Sequence, residues 1–316
     1  MGDHISRRAT IGLIFAAGLV NARRSIAAPI EQDVPAQIPG AIRFDLGGRD
    51  GRLPWRITLY VPPGDAPAAG WPVLYLLDGN AVTATAIDIE RVQASYPEAT
   101  GITSRFVVVG IGYPTTDAYD VVRRCWDYTP PPGRTYPSHQ PGAPPVRTGG
   151  AAEFLRFITG TLKPTIEHRC RIDQARQALF GHSFGGLFTL YALAQAPSAF
   201  SHWIAASPSI YWEDRVLLAS FAVPKDRPHR RQRVLLLAGA YEEEPAPFYT
   251  QQIDRENIRT GLDSAQIPQQ ARDLTSRLKR DHGFSADFRL IPRRTHMAAL
   301  PEALNEAVAF FLQSGA

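Results

Sequence analysis

Short runs of consecutive apolar and β-branched residues alternate along this chain with segments in which apolar residues recur every three to four positions. The first pattern predicts strands at 55–61, 73–77, 106–112, 177–181, 203–207, 234–239 and 287–291. Several of them, such as Val73-Leu74-Tyr75-Leu76-Leu77 and Val234-Leu235-Leu236-Leu237, are apolar throughout, as strands are when both sheet faces are covered. The second pattern predicts helices at 151–168, 184–194, 265–281 and about 301–313, the last with Leu304, Val308, Phe311 and Leu312 on one stripe. Strands interleaved with helices predict an α/β fold, a mostly parallel central sheet with helices on both faces. No internal repeat or second core is visible, so residues 29–316 are expected to form a single domain. The stretch 114–150 follows neither pattern and is crowded with Pro130, Pro131, Pro132, Pro137, Pro141, Pro144 and Pro145. A segment that long inside a domain usually serves as a lid or binding loop.

Composition narrows the class. At 316 residues, 44% hydrophobic and 20% charged, the chain is neither a disordered tail nor a polytopic membrane protein. An α/β fold of this length buries roughly three quarters of its unfolded surface, so it needs no disulfide or metal staple. Of the net charge of +4, most lies within residues 1–28, where Arg7, Arg8, Arg23 and Arg24 face only Asp3. The nearly neutral remainder gives no electrostatic case for a nucleic-acid partner. Arg7 and Arg8 precede an apolar run at 11–20 that is too short to span a bilayer, and the small residues Ser25, Ala27 and Ala28 follow. Residues 1–28 therefore read as a twin-arginine export signal, with a periplasmic destination and no stable membrane insertion. Cys125 and Cys170 are too few for a disulfide framework and lack zinc-site spacing, although an oxidising compartment would permit a bridge between them. No metal or cofactor is expected.

The sharpest chemical signal is Gly181-His182-Ser183-Phe184-Gly185-Gly186, between the strand ending Ala178-Leu179-Phe180 and the helix that follows. This is the pattern of a nucleophile elbow: a serine in a strained strand-to-helix turn, needing small neighbours at Gly181 and Gly185. A serine hydroxyl attacks only if a base accepts its proton, and in this arrangement acid and histidine follow the serine along the chain. Of eight histidines, only His202, His229, His282 and His296 come after Ser183. His296 lies directly after the last strand and before the last helix, at the sheet edge where the base is needed, and is assigned that role. The acid should follow the strand at 234–239, where Glu242, Glu243 and Glu244 share one loop. Glu242 is the first candidate by spacing; Glu243, Glu244 and a dyad with no tightly placed acid stay open. A developing oxyanion needs two backbone donors, Phe184 after the nucleophile and either Gly79 or Asn80 in the loop after 73–77.

With these residues in place the chain resembles the putative-esterase branch of the α/β-hydrolases, and most closely the siderophore esterases that hydrolyse enterobactin and salmochelin trilactones. The likeness is carried by Leu77-Asp78-Gly79-Asn80, Gly110-Ile111-Gly112-Tyr113-Pro114 and Arg123-Arg124-Cys125-Trp126-Asp127-Tyr128-Thr129-Pro130. It continues through Gly149-Gly150-Ala151, Gly181 to Gly186, and Ser207-Pro208-Ser209-Ile210-Tyr211-Trp212. Two departures stand out: Arg293-Arg294-Thr295-His296 lacks the glycine that often precedes the family's histidine, and Tyr211 replaces a common tryptophan. The resemblance implies an α/β-hydrolase fold and a serine esterase working through an acyl-enzyme on a small-molecule ester. The expected substrate is a catechol-type siderophore trilactone, free or as its ferric complex. Relatives with similar motifs cleave other esters, including S-formylglutathione and feruloyl or acetyl-xylan esters, or transfer acyl groups. The resemblance also places Arg124 near the site as a cationic contact for substrate, the alternative being a surface pair with Asp127, and sets Trp212 and the proline-rich loop along the cleft.

Overall fold

The structure is a computed structural model that describes residues 36–48, 53–137, 142, 144–222 and 232–313; the segment read as an export signal and His229 lie outside the described residues. The chain divides into two units, Met1–Gln37, of which only the last two residues are described, and Ile38–Ala316, which contains every element discussed below.

Along the chain the elements run β1 (Ala41–Leu46), β2 (Trp55–Tyr60), β3 (Trp71–Leu77), α1 (Gly79–Gln93), α2 (Pro97–Thr100), β4 (Val107–Gly112) and α3 (Val121–Tyr128). A two-residue pair, β5 (Thr135–Tyr136) and β6 (Val146–Arg147), leads into α4 (Ala151–Phe157) and α5 (Lys163–Arg169), joined by a π-helical turn at Ile158–Leu162. Then come β7 (Ile172–His182), α6 (Phe184–Gln195), β8 (His202–Ala206), α7 (Trp212–Arg215), β9 (Arg233–Gly239), α8 (Gln252–Ala265), α9 (Ile267–His282), β10 (Ser285–Ile291) and α10 (Leu300–Leu312).

Eight strands form one sheet in the order β1-β2-β4-β3-β7-β8-β9-β10. Pairing is parallel from β4 to β10 and antiparallel where β2 meets β4 and β1 meets β2. The all-apolar strands feed two cores by simple alternation. Val73, Tyr75 and Leu77 of β3, with Val234 and Leu236 of β9, face the core built with α4, α6 and α9. Leu74 and Leu76, with Leu235 and Leu237, face the core built with α1 and α10. The chain is thus an α/β-hydrolase fold with helices on both faces of a mostly parallel sheet.

The structure differs from the sequence expectations at four places. β1 is an antiparallel edge strand whose side chains are half or fully exposed, so it carried no apolar run. α1 begins where only a loop after 73–77 is expected, because its buried stripe of Val82, Thr83, Ala86, Ile87 and Glu90 contains polar residues. The helix expected at 265–281 is present as α9, but it is preceded by α8, which no pattern announced, and the two meet at Gln266 in a left-handed conformation. The proline-rich stretch is not irregular throughout: it holds α3, started by Asp120, whose carboxylate accepts the Arg123 N–H at 2.9 Å. The two cysteines are free thiols, each half-buried.

Candidate active site

The site gathers at the carboxyl ends of the parallel strands, where β3, β7, β8, β9 and β10 each release a loop. Ser183 follows β7 with φ 59° and ψ −117°, a conformation that costs an L-residue energy and projects its side chain away from the turn. The sharpness of the turn rests on Gly181, where an added Cβ would lie 2.2 Å from the Gly185 carbonyl oxygen. Gly186 is also tight, against Ala206 and Pro208. Gly185, expected to be equally constrained, is not: a Cβ there would meet Asp78 and Leu77 at an ordinary 3.5 Å.

Glu242 follows β9, is 2% exposed, and is fully committed. Its Oε1 accepts the Ser207 hydroxyl at 2.6 Å and the Gly239 N–H at 2.7 Å, and its Oε2 accepts Nδ1–H of His296 at 2.7 Å. Burial alone would raise its pKa, but the His296 hydrogen bond and charge, with those of Ser207 and Gly239, outweigh burial and hold the carboxyl below its ordinary value. Because a carboxylate only accepts, it fixes the His296 tautomer with the proton on Nδ1 and the lone pair on Nε2. The neighbouring acids do neither: Glu243 pairs with Arg272 on the surface and Glu244 is exposed.

His296 is held from a second side. Nε2–H of His182 donates to the His296 carbonyl at 2.9 Å, and the two rings lie 4.7 Å apart. Burial first, and the His296 charge second, push the His182 pKa down to about 3, so this ring stays neutral. In this structure the Ser183 hydroxyl meets Ser209 Oγ at 3.4 Å and makes no hydrogen bond to His296 among the described residues. The Ser209 N–H in turn donates to the Ser183 carbonyl at 3.2 Å. His202 and His282, the other described candidates, are structural: His202 meets Ser201 at the start of β8, and His282 donates to the Phe221 carbonyl from a buried helix end.

Phe184 begins α6 and Gly79 begins α1, so both N–H groups belong to helix first turns, which lack intrahelical acceptors and carry partial positive charge. Asn80 is used differently. Its side chain bridges Tyr113 and Thr115, donating to both carbonyls and accepting the Tyr113 N–H at 2.8 Å, and its backbone nitrogen lies against Gly112.

Arg124 does not pair with Asp127. It forms a two-pronged ion pair with Asp78 at 3.0 and 2.9 Å, leaving Nη1 without a hydrogen-bond partner among the described residues. Its guanidinium lies 5.6 Å from the Phe184 ring and also faces Tyr119 and Tyr128. Burial disfavours the cation, yet the Asp78 charge and hydrogen bonds more than offset this and raise its pKa. The Asp78 N–H donates to the Tyr128 hydroxyl at 2.9 Å, so the turn before Gly79 is clamped through both side chain and backbone. Asp127 instead accepts Trp55 and Tyr113, and burial, outweighing those bonds, raises its pKa to about 6. Trp212 packs edge-on against Phe184 at 4.7 Å and lies 5.5 Å from Tyr136 of the proline-rich stretch.

Sequence reasoning overlooked His182, Ser207 and the structural role of Asp78. The first two sit inside motifs already singled out, but their service to His296 and Glu242 depends on strands brought together by folding.

Residues 51–275 match the family model described as a putative esterase. The chain is 34% identical over 281 residues to the ferri-bacillibactin esterase of Bacillus subtilis, covering 87% of this chain and 90% of that protein. It is 34% identical over 161 residues to the apo-salmochelin esterase of Escherichia coli, covering 51% of this chain and 48% of that one. Among solved structures, a siderophore hydrolase from Aspergillus nidulans superimposes with a TM-score of 0.76 at 28% identity, covering 90% of this chain and 96% of its own.

Proposed function

The chain belongs to the putative-esterase family, and from that premise we propose that it is a serine esterase that opens the ester bonds of catecholate siderophores, with Ser183 as nucleophile. The carrying observation is the chain of hydrogen bonds from Ser207 through Glu242 to His296 beside an elbow serine. Ser183 Oγ rotates from Ser209 toward His296 Nε2, delivers its proton there and bonds to the ester carbonyl carbon. Catalytic hydrogen bonds commonly tighten only when substrate is present. The carbonyl oxygen becomes an oxyanion, which the N–H groups of Phe184 and Gly79 receive. Collapse breaks the bond to the leaving alkoxide, which takes the proton from His296 and leaves an acyl-serine. Water then attacks that ester, giving a proton to His296, and the reverse collapse returns the proton to Ser183 and frees the acid. Glu242 stays ionised throughout, orienting the ring and stabilising its cationic form.

Arg124 Nη1 and the ring of Trp212 border this centre and suit an aromatic, oxygen-rich acyl group. The arginine pair and apolar run of residues 1–28 support export to the periplasm through a twin-arginine signal. No helix among the described residues is long and apolar enough to cross a membrane.

The test is hydrolysis of enterobactin, iron-free and iron-loaded, resolved by mass spectrometry, with p-nitrophenyl acetate alongside. Linear trimers, dimers and monomers from wild-type protein, and none from Ser183→Ala, are expected. Turnover of the simple ester alone would retain a serine esterase and remove the siderophore substrate.

A further inference from the structure

Next to His296 in the chain, Thr295 lines a shallow cavity of about 630 Å³ that is widely open to solvent. Its walls are the two loops that carry Glu242 and His296: Tyr241 and Phe248 on one side, Arg293, Arg294 and Thr295 on the other. The loops are tied together, since the Tyr241 N–H donates to the Arg294 carbonyl at 2.9 Å. Phe248 is 64% exposed, an aromatic ring left on the surface of this cavity.

The two arginines differ in how they are held. Arg294 is anchored to Glu302 through Nε at 2.8 Å and through Nη2, which neutralises it. Arg293 is exposed, and its side chain makes no ion pair or hydrogen bond among the described residues. It also has φ 59°, in the left-handed region that glycine adopts freely and an arginine does not. A long cation therefore occupies a strained position three residues before His296, where a glycine would relieve the backbone. Strain of this kind, kept next to a reacting centre, points to a use for the side chain.

The chemistry of the substrate supplies that use. In a ferric catecholate the deprotonated catechol oxygens outweigh the charge on iron, so the complex is a polyanion. The iron-free ester keeps its phenols protonated near neutral pH and is uncharged. The two curated relatives described above differ in this respect by name, one ferri- and one apo-. We propose that Arg293, in the aromatic-walled cavity lined by Thr295, is a specificity-determining residue that favours the iron-loaded, anionic form of the ester over the iron-free form. This rests on the siderophore-esterase reading above.

The test measures kcat/KM for iron-loaded and iron-free enterobactin on the full chain, for wild type, Arg293→Gly and Arg293→Lys, at low and high salt. The loaded-to-free ratio should fall about tenfold in Arg293→Gly and stay within about twofold of wild type in Arg293→Lys, since a lysine keeps the charge. Raising the salt should lower the wild-type ratio and leave that of Arg293→Gly nearly constant, because exposed charges are screened. The glycine variant relieves strain, so its thermal midpoint should equal or exceed that of wild type. An unchanged ratio in Arg293→Gly, with both forms still cleaved, would overturn the role of Arg293 and leave the esterase reading standing. Cleavage of p-nitrophenyl acetate with neither siderophore form turned over would remove the siderophore substrate and with it the role of Arg293, and retain a serine esterase.

Discussion

Glu242 and the two glutamates after it share a loop, a charge and a chemistry, yet only Glu242 is buried between Ser207, Gly239 and His296. Glu242→Gln should lower kcat on p-nitrophenyl acetate by about 100-fold or more, because an amide no longer holds the Nδ1–H tautomer or stabilises the imidazolium. Glu243→Gln and Glu244→Gln should stay within about twofold, since one is paired at the surface and the other is exposed. Asp78 makes a separate case. Asp78→Asn leaves the Arg124 guanidinium, only 13% exposed, without its counter-charge, and should cost about 3 kcal/mol in urea denaturation as well as activity. Sequence spacing ranked Glu242 first but left Arg124 between substrate and Asp127. Its actual partner lies 46 residues away and is reached only when β3 and α3 come together.

At the scale of the element, the turn from β7 into α6 decides whether Ser183 can be presented at all. Gly181→Ala would drive a methyl group into the Gly185 backbone and should destabilise the protein by about 3 kcal/mol, with activity lost along with it. Gly185→Ala meets only ordinary contacts and should change the unfolding free energy by less than about 1 kcal/mol, although the motif shows both glycines alike. Thermal melts of the two variants distinguish a steric glycine from a tolerant one. α6 itself shows why periodicity fades in a core: Gly185 to Ala194 are all buried, so no polar face marks the helix. α1 escaped notice for the opposite reason, a real stripe that includes the polar Thr83 and Glu90 among its buried positions, and its first N–H groups became visible as donors only once it was a helix.

For the whole molecule, two cores on opposite faces of one sheet supply the stability that lets the site hold strained residues at Ser183 and Arg293. The buried histidines set its acid response. His182 has its pKa lowered to about 3 and His202 to about 4, chiefly by burial, from an ordinary value of 6.5. Between the unfolded and folded values the unfolded chain binds protons that the native state refuses, so stability falls as pH drops from about 6.5 toward 4. The slope is at most about 1.4 kcal/mol per pH unit for each histidine. His202→Gln, remote from Ser183 and packed against Phe310 and Phe311, should flatten this slope by up to one proton's worth in pH-dependent urea titrations. Glu242 adds a loss further down: its folded pKa is depressed, so its contribution is present above the unfolded value and vanishes as pH falls through the folded one.

Strands β2, β3, β4, β7, β8, β9 and β10, helices α6, α9 and α10, the elbow at Ser183 and the position of His296 after the last strand were legible in the sequence, because each depends on local pattern: apolar runs, helical spacing and the small residues of one turn. The two-faced apolar strands even announced that helices would cover both sides of the sheet. What the sequence left open was every choice among chemically equivalent neighbours. Glu242 over Glu243, the Asp78 partner of Arg124, the tolerance of Gly185 and the left-handed backbone of Arg293 are set by contacts between β3, β7, β9 and the loop after β10. Those contacts join residues separated by tens of positions, and their geometry exists only after the sheet has brought the strand ends to one edge.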